Sequence, residues 1–154
     1  MFNTLSGRFL IFTIVFVMLA EVLIFVPSIA RFRVDYLNTR IERAQIASLV
    51  LLADDMLAPE LEAELLQNAG VYNVVLVRNK THQLALSSTL PSPVADTYDL
   101  RDPGIGTLII DALYEVTRTD DRIIRAVGLP KSDGGNLIEI TLDAGPLQHA
   151  MRDY

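Results

Sequence analysis

From Phe9 to Ile29 apolar side chains follow one another almost without a break, interrupted by Glu21 and closed by Pro27. At an α-helical rise of ~1.5 Å per residue this run spans the ~30 Å hydrocarbon core of a bilayer. The pattern predicts a transmembrane helix over 9–29, preceded by a short cytoplasmic stub over 1–8. From Arg31 to Leu57 the helical period continues, so a stalk helix over 30–57 is expected to extend the membrane helix. Val34, Leu37, Ile41, Ala44, Ser48 and Leu51 fall at alternating spacings of three and four, the seam of a coiled coil. Ile46, Leu49, Val50, Ala53 and Leu57 form a second apolar face suited to packing on a domain. Two readings of the stretch stay open, a dimeric signalling stalk and a simple core helix.

The remaining pattern is that of a small α+β domain over 58–145. Pro59 opens a helix with Glu60, Glu62 and Glu64 early and Gly70 at its end. Val71 to Arg78 is rich in β-branched residues and reads as a strand, turning at Asn79-Lys80 into a second strand near Gln83 to Ser87. Leu90 to Tyr98 holds Pro91 and Pro93 and reads as a loop. Asp102-Pro103 predicts a helix start with Asp as cap, and Ile105, Leu108, Ile109, Ala112, Leu113 and Val116 supply the apolar stripe. Arg122 to Leu129 and Leu137 to Leu142 read as a third and a fourth strand, joined by a turn over 132–136. A last helix runs over 146–154 and points back toward the membrane. The expected core is therefore an antiparallel sheet of about four strands with flanking helices.

Two other readings of the N-terminus fit less well. Ser28-Ile29-Ala30 has the small-x-small form of a cleavage site, but the apolar run exceeds the ~7–15 residues of a signal-peptide core. A pilin stem needs its acid close behind a processed glycine, and Gly7 and Glu21 stand too far apart. Orientation is not given by charge. Arg31, Arg33, Arg40 and Arg43 follow the helix and Arg8 alone precedes it, yet the positive-inside rule loses force before a long folded domain. Glu21 is costly in lipid, by ~2.5–3.5 kcal/mol near a helix centre. It reads either as a polar contact that fixes helix pairing or as an acid facing a second helix of the same protein.

Composition narrows the function classes. The net charge is −6 and no Lys/Arg cluster is present, which argues against a nucleic-acid partner. Without cysteine the chain has no disulfide framework, thiol nucleophile or thiolate metal site. His82 and His149 stand far apart with no ligand-spaced neighbours, so no metal and no cofactor is expected. Asp54-Asp55 point in different directions on a helix, Asp120-Asp121-Arg122 reads as a polar turn, and Ser87-Ser88-Thr89 lacks a His-and-acid framework. No catalytic residue is assigned.

The strings AEVLIFVPSIARFR, Ala47 to Ala53 and Asp143 to Met151 give the chain a family likeness. Together they resemble the N-terminal sensory region of alphaproteobacterial membrane-bound sensor histidine kinases. The likeness implies a PAS-like periplasmic sensor domain at the inner membrane, a homodimer, and a second membrane helix and kinase core beyond this chain. It also implies a response regulator reached through that missing core. Neither histidine sits in a phosphoacceptor box, and no ATP-binding motif is present. The function implied is the signal-sensing input module of a two-component system, with a small-molecule ligand or an envelope protein as stimulus. Arg125 is the leading ligand-binding candidate, since it alternates with Ile123 and Val127 mid-strand and can grip an anion bidentately. Facing solvent on a half-exposed sheet is its other reading. Tyr72, Arg78 and Tyr114 are weaker candidates of the same kind. Two alternative functions stay open: a single-pass anchored periplasmic scaffold without kinase activity, and a membrane-tethered hydrolase using unrecognised carboxylates.

Overall fold

The computed structural model describes residues 4–53, 58–131 and 137–154, with the side chains at 51, 52 and 82–85 left aside. The stalk residues 54–57, the turn over 132–136, and the side chains of Leu51 and His82 therefore lie outside the described residues.

One helix, α1 (Leu5–Ala53), carries the apolar run straight into the domain and passes through Pro27 without a break. Its 49 residues make it about 74 Å long at the α-helical rise. It is long and apolar enough to cross a membrane, and its most apolar stretch contains no buried residue. Around its second half fold α2 (Pro59–Ala69), β1 (Asn73–Arg78), β2 (Thr81–Ser87), β3 (Val94–Asp99), α3 (Ile105–Thr117), β4 (Ile123–Gly128), β5 (Leu137–Asp143) and α4 (Ala144–Asp153).

The five strands form one mixed sheet in the order β2-β1-β5-β4-β3. The β1–β2, β1–β5 and β4–β5 pairs are antiparallel, while β3 and β4 run parallel. This corrects two expectations, the purely antiparallel pairing and the count of about four strands. Residues 94–99 form an edge strand, because Pro91 and Pro93 precede it rather than interrupt it. Its alternate residues face solvent, as an edge allows. A parallel neighbour needs a crossover, and α3 supplies it between β3 and β4.

Local punctuation explains most boundaries. Gly70 ends α2 in the left-handed region at φ 69° and donates its N–H to Gln67 O. Asn79 and Lys80, at φ 51° and 65°, make the two-residue turn whose twist suits a hairpin. Asp143 caps α4 by accepting the Gly145 N–H at 2.8 Å. The start of α3 differs from expectation: Gly104 is the cap residue, without a side-chain bond, and Asp102 lies outside the helix.

The core lies on one side of the sheet. Val74, Leu76, Ile124, Ala126, Ile138, Ile140 and Leu142 alternate along their strands and meet Leu37, Ile41, Ala44, Leu66, Ala112, Leu147 and Met151 from the helices. The opposite sheet face, with Val75, Arg125 and Glu139, contributes nothing to that core. This arrangement overturns the expected use of α1. Leu37 (0% exposed), Ile41 (3%) and Ala44 (0%) pack against the sheet and Val34 is half-buried, so the seam assigned to a dimer is spent inside the chain. Ile46, Leu49 and Val50, expected to pack on the domain, are 64%, 46% and 41% exposed. Gly128 lets the helix approach closely: a Cβ on it would stand 2.7 Å from Ile41 Cδ1.

Candidate functional site

At the end of the domain nearer the apolar part of α1, five elements meet around a buried polar cluster. Arg122, just before β4, is 5% exposed; Glu115 on α3 is 0% and Gln148 on α4 is 2%. Arg122 Nη2 donates to Glu115 Oε2 at 2.5 Å, and Gln148 Nε2 donates to Glu115 Oε1 at 3.1 Å. The Tyr98 hydroxyl of β3 donates to Glu115 Oε2 at 3.3 Å and accepts from Arg122 Nη2 at 3.3 Å. Arg122 Nη1 pairs with Asp96, a residue at the irregular register of β3. From α1, the Arg33 guanidinium lies over the Tyr98 ring with 4.1 Å between Cζ and centroid.

The electrostatics follow from burial. A buried charge is tolerated when paired and hydrogen-bonded. Burial works against the Arg122 charge, but Glu115, Tyr98 and Asp96 together hold its pKa above the ordinary value. Burial pushes the Tyr98 phenol up, and the Glu115 charge pushes it further, so Tyr98 stays protonated through neutral pH. Arg33 differs. It is 1% exposed, and its Nε and Nη2 have no hydrogen-bond partner. Its compensation is the face of Tyr98.

The same end of the domain holds the closure of the chain. Tyr154 OH lies 2.7 Å from Ser28 Oγ, and its ring stacks on Phe32 with centroids 4.6 Å apart. Helix α4 thus finishes beside the C-terminal end of the apolar run. Arg152 Nη2 adds a bond to Arg118 O at 3.1 Å, holding the end of α3 to the end of α4.

The sequence-derived candidates do not converge. Arg125 is half-exposed on the face away from the helices, in register with Thr97 and Thr141. Arg78 is exposed at the end of β1. Tyr72 lines a cleft of about 380 Å³ with Gly70, Ser88 and Pro146. Tyr114 alone borders the cluster, with Arg122 Cζ 5.8 Å from its ring and Arg118 stacked at 4.1 Å. Glu21 is exposed on the apolar part of α1. A larger cleft of about 740 Å³ opens beside β3 between Asp96, Asp99, Arg101, Asp102 and Asp111. There the Asp99–Arg101 pair closes over two residues, and hydrogen bonds from Arg101 lower the Asp99 pKa to about 2.

The cluster itself was missed at the sequence level, although one signal pointed to it. Glu115 stands at i+7 from Leu108 and i+3 from Ala112, an acid within the buried stripe of α3. Among the described residues no group of His, Asp and Glu is spaced to hold a metal. No protein-family model, curated protein or solved structure matches the chain. What the arrangement offers chemically is a buried polar joint between α1, β3, β4, α3 and α4, in which Glu115 is bonded on both oxygens while Arg33 Nε and Nη2 and Arg122 Nε are without hydrogen-bond partners.

Proposed function

We propose that this chain is the membrane-tethered sensory input module of a two-component sensor histidine kinase, its PAS-like domain facing the periplasm from the inner membrane. The observation that carries this reading is the Ser28–Tyr154 junction, where the helix that enters the domain and the helix that leaves it meet at one pole. A module built this way converts a change inside the domain into relative movement of α1 and α4. The Glu115 cluster is the lever, because it bonds α4 through Gln148 and reaches α1 through Tyr98 and Arg33. Shifts of ~1–2 Å between packed helices are typical of such transmission. A small molecule or an envelope protein is the stimulus, and a response regulator is reached only through a kinase core.

The test is a chimaera in which residues 1–154 are joined to the second membrane span and kinase core of a characterised sensor kinase. Autophosphorylation in membranes is then compared for the parent, Tyr98→Phe, Gln148→Leu and Tyr154→Ala. Basal output should move in at least the Gln148 and Tyr154 variants while membrane insertion is unchanged. Output insensitive to all three would overturn the proposal.

A further inference from the structure

Between the C-terminal end of α2 and the start of α4 lies the cleft of about 380 Å³ that Tyr72 borders, a volume within the ordinary range of small-ligand sites. Its floor is apolar, from Leu66 (3% exposed) and Val71 (6%), and the exposed Ala63 and Pro146 stand at its rim. Asp143 is the only charged side chain that lines it. One oxygen of Asp143, Oδ1, accepts the Gly145 N–H, and no described residue bonds to the other. The lining also includes Gln67 and Gly70 from the last turn of α2, and a helix C-terminus is the negative end of its dipole.

We propose that this cleft binds a compact organic amine, its ammonium group on Asp143 and its apolar body on Leu66 and Val71. The start of α4 would ordinarily favour an anion, but the backbone donors of its first three residues are taken or missing. Ala144 N–H goes to Arg122 O at 2.9 Å, Gly145 N–H goes to Asp143, and Pro146 has none. Further acids stand close by. Glu62 accepts the Ser87 N–H next to Ser88, and Asp121 Oδ1 would lie 3.6 Å from a Cβ on Gly145. Arg40 reaches Gly70 from α1, but it donates to Ala69 O and the Tyr36 hydroxyl and does not line the cleft. An ammonium on a carboxylate makes a charge-assisted hydrogen bond, roughly twice as strong as a neutral one. The occupant touches α2 and the first turn of α4 at once. The inference needs the fold alone and does not rest on the sensory reading, which the kinase chimaera tests separately.

The test is an amide NMR titration of the full chain in detergent with phenethylamine and, in parallel, with phenylacetate, an anion of similar shape. The Gly70 and Ser88 signals should shift saturably with the amine and not with phenylacetate. For a fragment of this size half-saturation should fall at or below about 10 mM. Ala63→Phe fills the rim from an exposed helix position and should abolish the shifts. Asp143→Asn keeps a good helix cap and should weaken the amine about ten- to hundred-fold. Circular dichroism of both variants should match the parent. Equal affinity for phenylacetate, amine binding unchanged in both variants, or no saturation by about 10 mM would each overturn the inference.

Discussion

Gln148 on α4 donates to one carboxylate oxygen of Glu115, while Arg122 occupies the other. A helix that ends beside the apolar run is thereby bonded to the same acid that holds the base of β4. Removing that acid leaves a buried guanidinium and a buried amide without their shared acceptor. Glu115→Ala should therefore cost ~3–5 kcal/mol, the range for breaking a buried ion pair from one side. Urea unfolding of the full chain in detergent, followed by circular dichroism, reads it directly. Glu115→Gln should cost less, because it still accepts from Gln148.

Arg33 gives the opposite sign. Two of its nitrogens are buried without acceptors, at ~1–3 kcal/mol for such a group, against a cation–π contact of ~2 kcal/mol when desolvated. Arg33→Met keeps the volume and drops the unpaired polar atoms, so the urea midpoint should stay level or rise. A fall as large as that of Glu115→Ala would show that the guanidinium has a partner the geometry does not.

The Asp99–Arg101 pair predicts a pH signature. Asp99 titrates near 2 in the fold against 3.8 for a free carboxyl, because Arg101 donates to it. A lowered folded pKa means stability that is present above about pH 4 and lost as the pH falls toward 2. The pair is half-exposed, so solvent screens it and the stability at stake is small. Arg101→Ala should return the Asp99 midpoint to the ordinary carboxylate range, which carbon-detected NMR titration of the side-chain carboxyl measures.

Gly70 predicts a backbone effect. Its φ of 69° disfavours any L side chain, and a Cβ there would overlap the Arg40 guanidinium, which donates to Ala69 O. Gly70→Ala should cost ~1–2 kcal/mol from the left-handed backbone alone. Combining it with Arg40→Ala should recover only the steric part, and a double-mutant cycle separates the two.

Much of this architecture was legible in the chain because local chemistry specified it. Pro59 and Gly70 bracket α2, Asn79-Lys80 turns β1 into β2, and Asp143 opens α4, each by a rule that acts within a few residues. What the chain did not disclose depends on long-range choice. Residues 94–99 are polar enough to pass for a loop, and become a strand because β4 offers them an edge. Both faces of α1 beyond Arg31 have helical spacing, so periodicity alone cannot say which one meets the sheet. Gly128 favours one of them, since a Cβ there would stand 2.7 Å from Ile41 Cδ1. The Glu115 cluster draws on five separate elements, and no window of sequence contains it.

Ile29, the last residue of the apolar run, and Ala30 beside it are also members of the domain's core, at 1% and 5% exposure. The apolar run and the globule therefore share side chains within one unbroken helix. A protease that severed the chain at Ala30 would remove part of the interior and the Ser28 end of the Tyr154 bond together. Separating the apolar run from the domain and opening its core would come as one event.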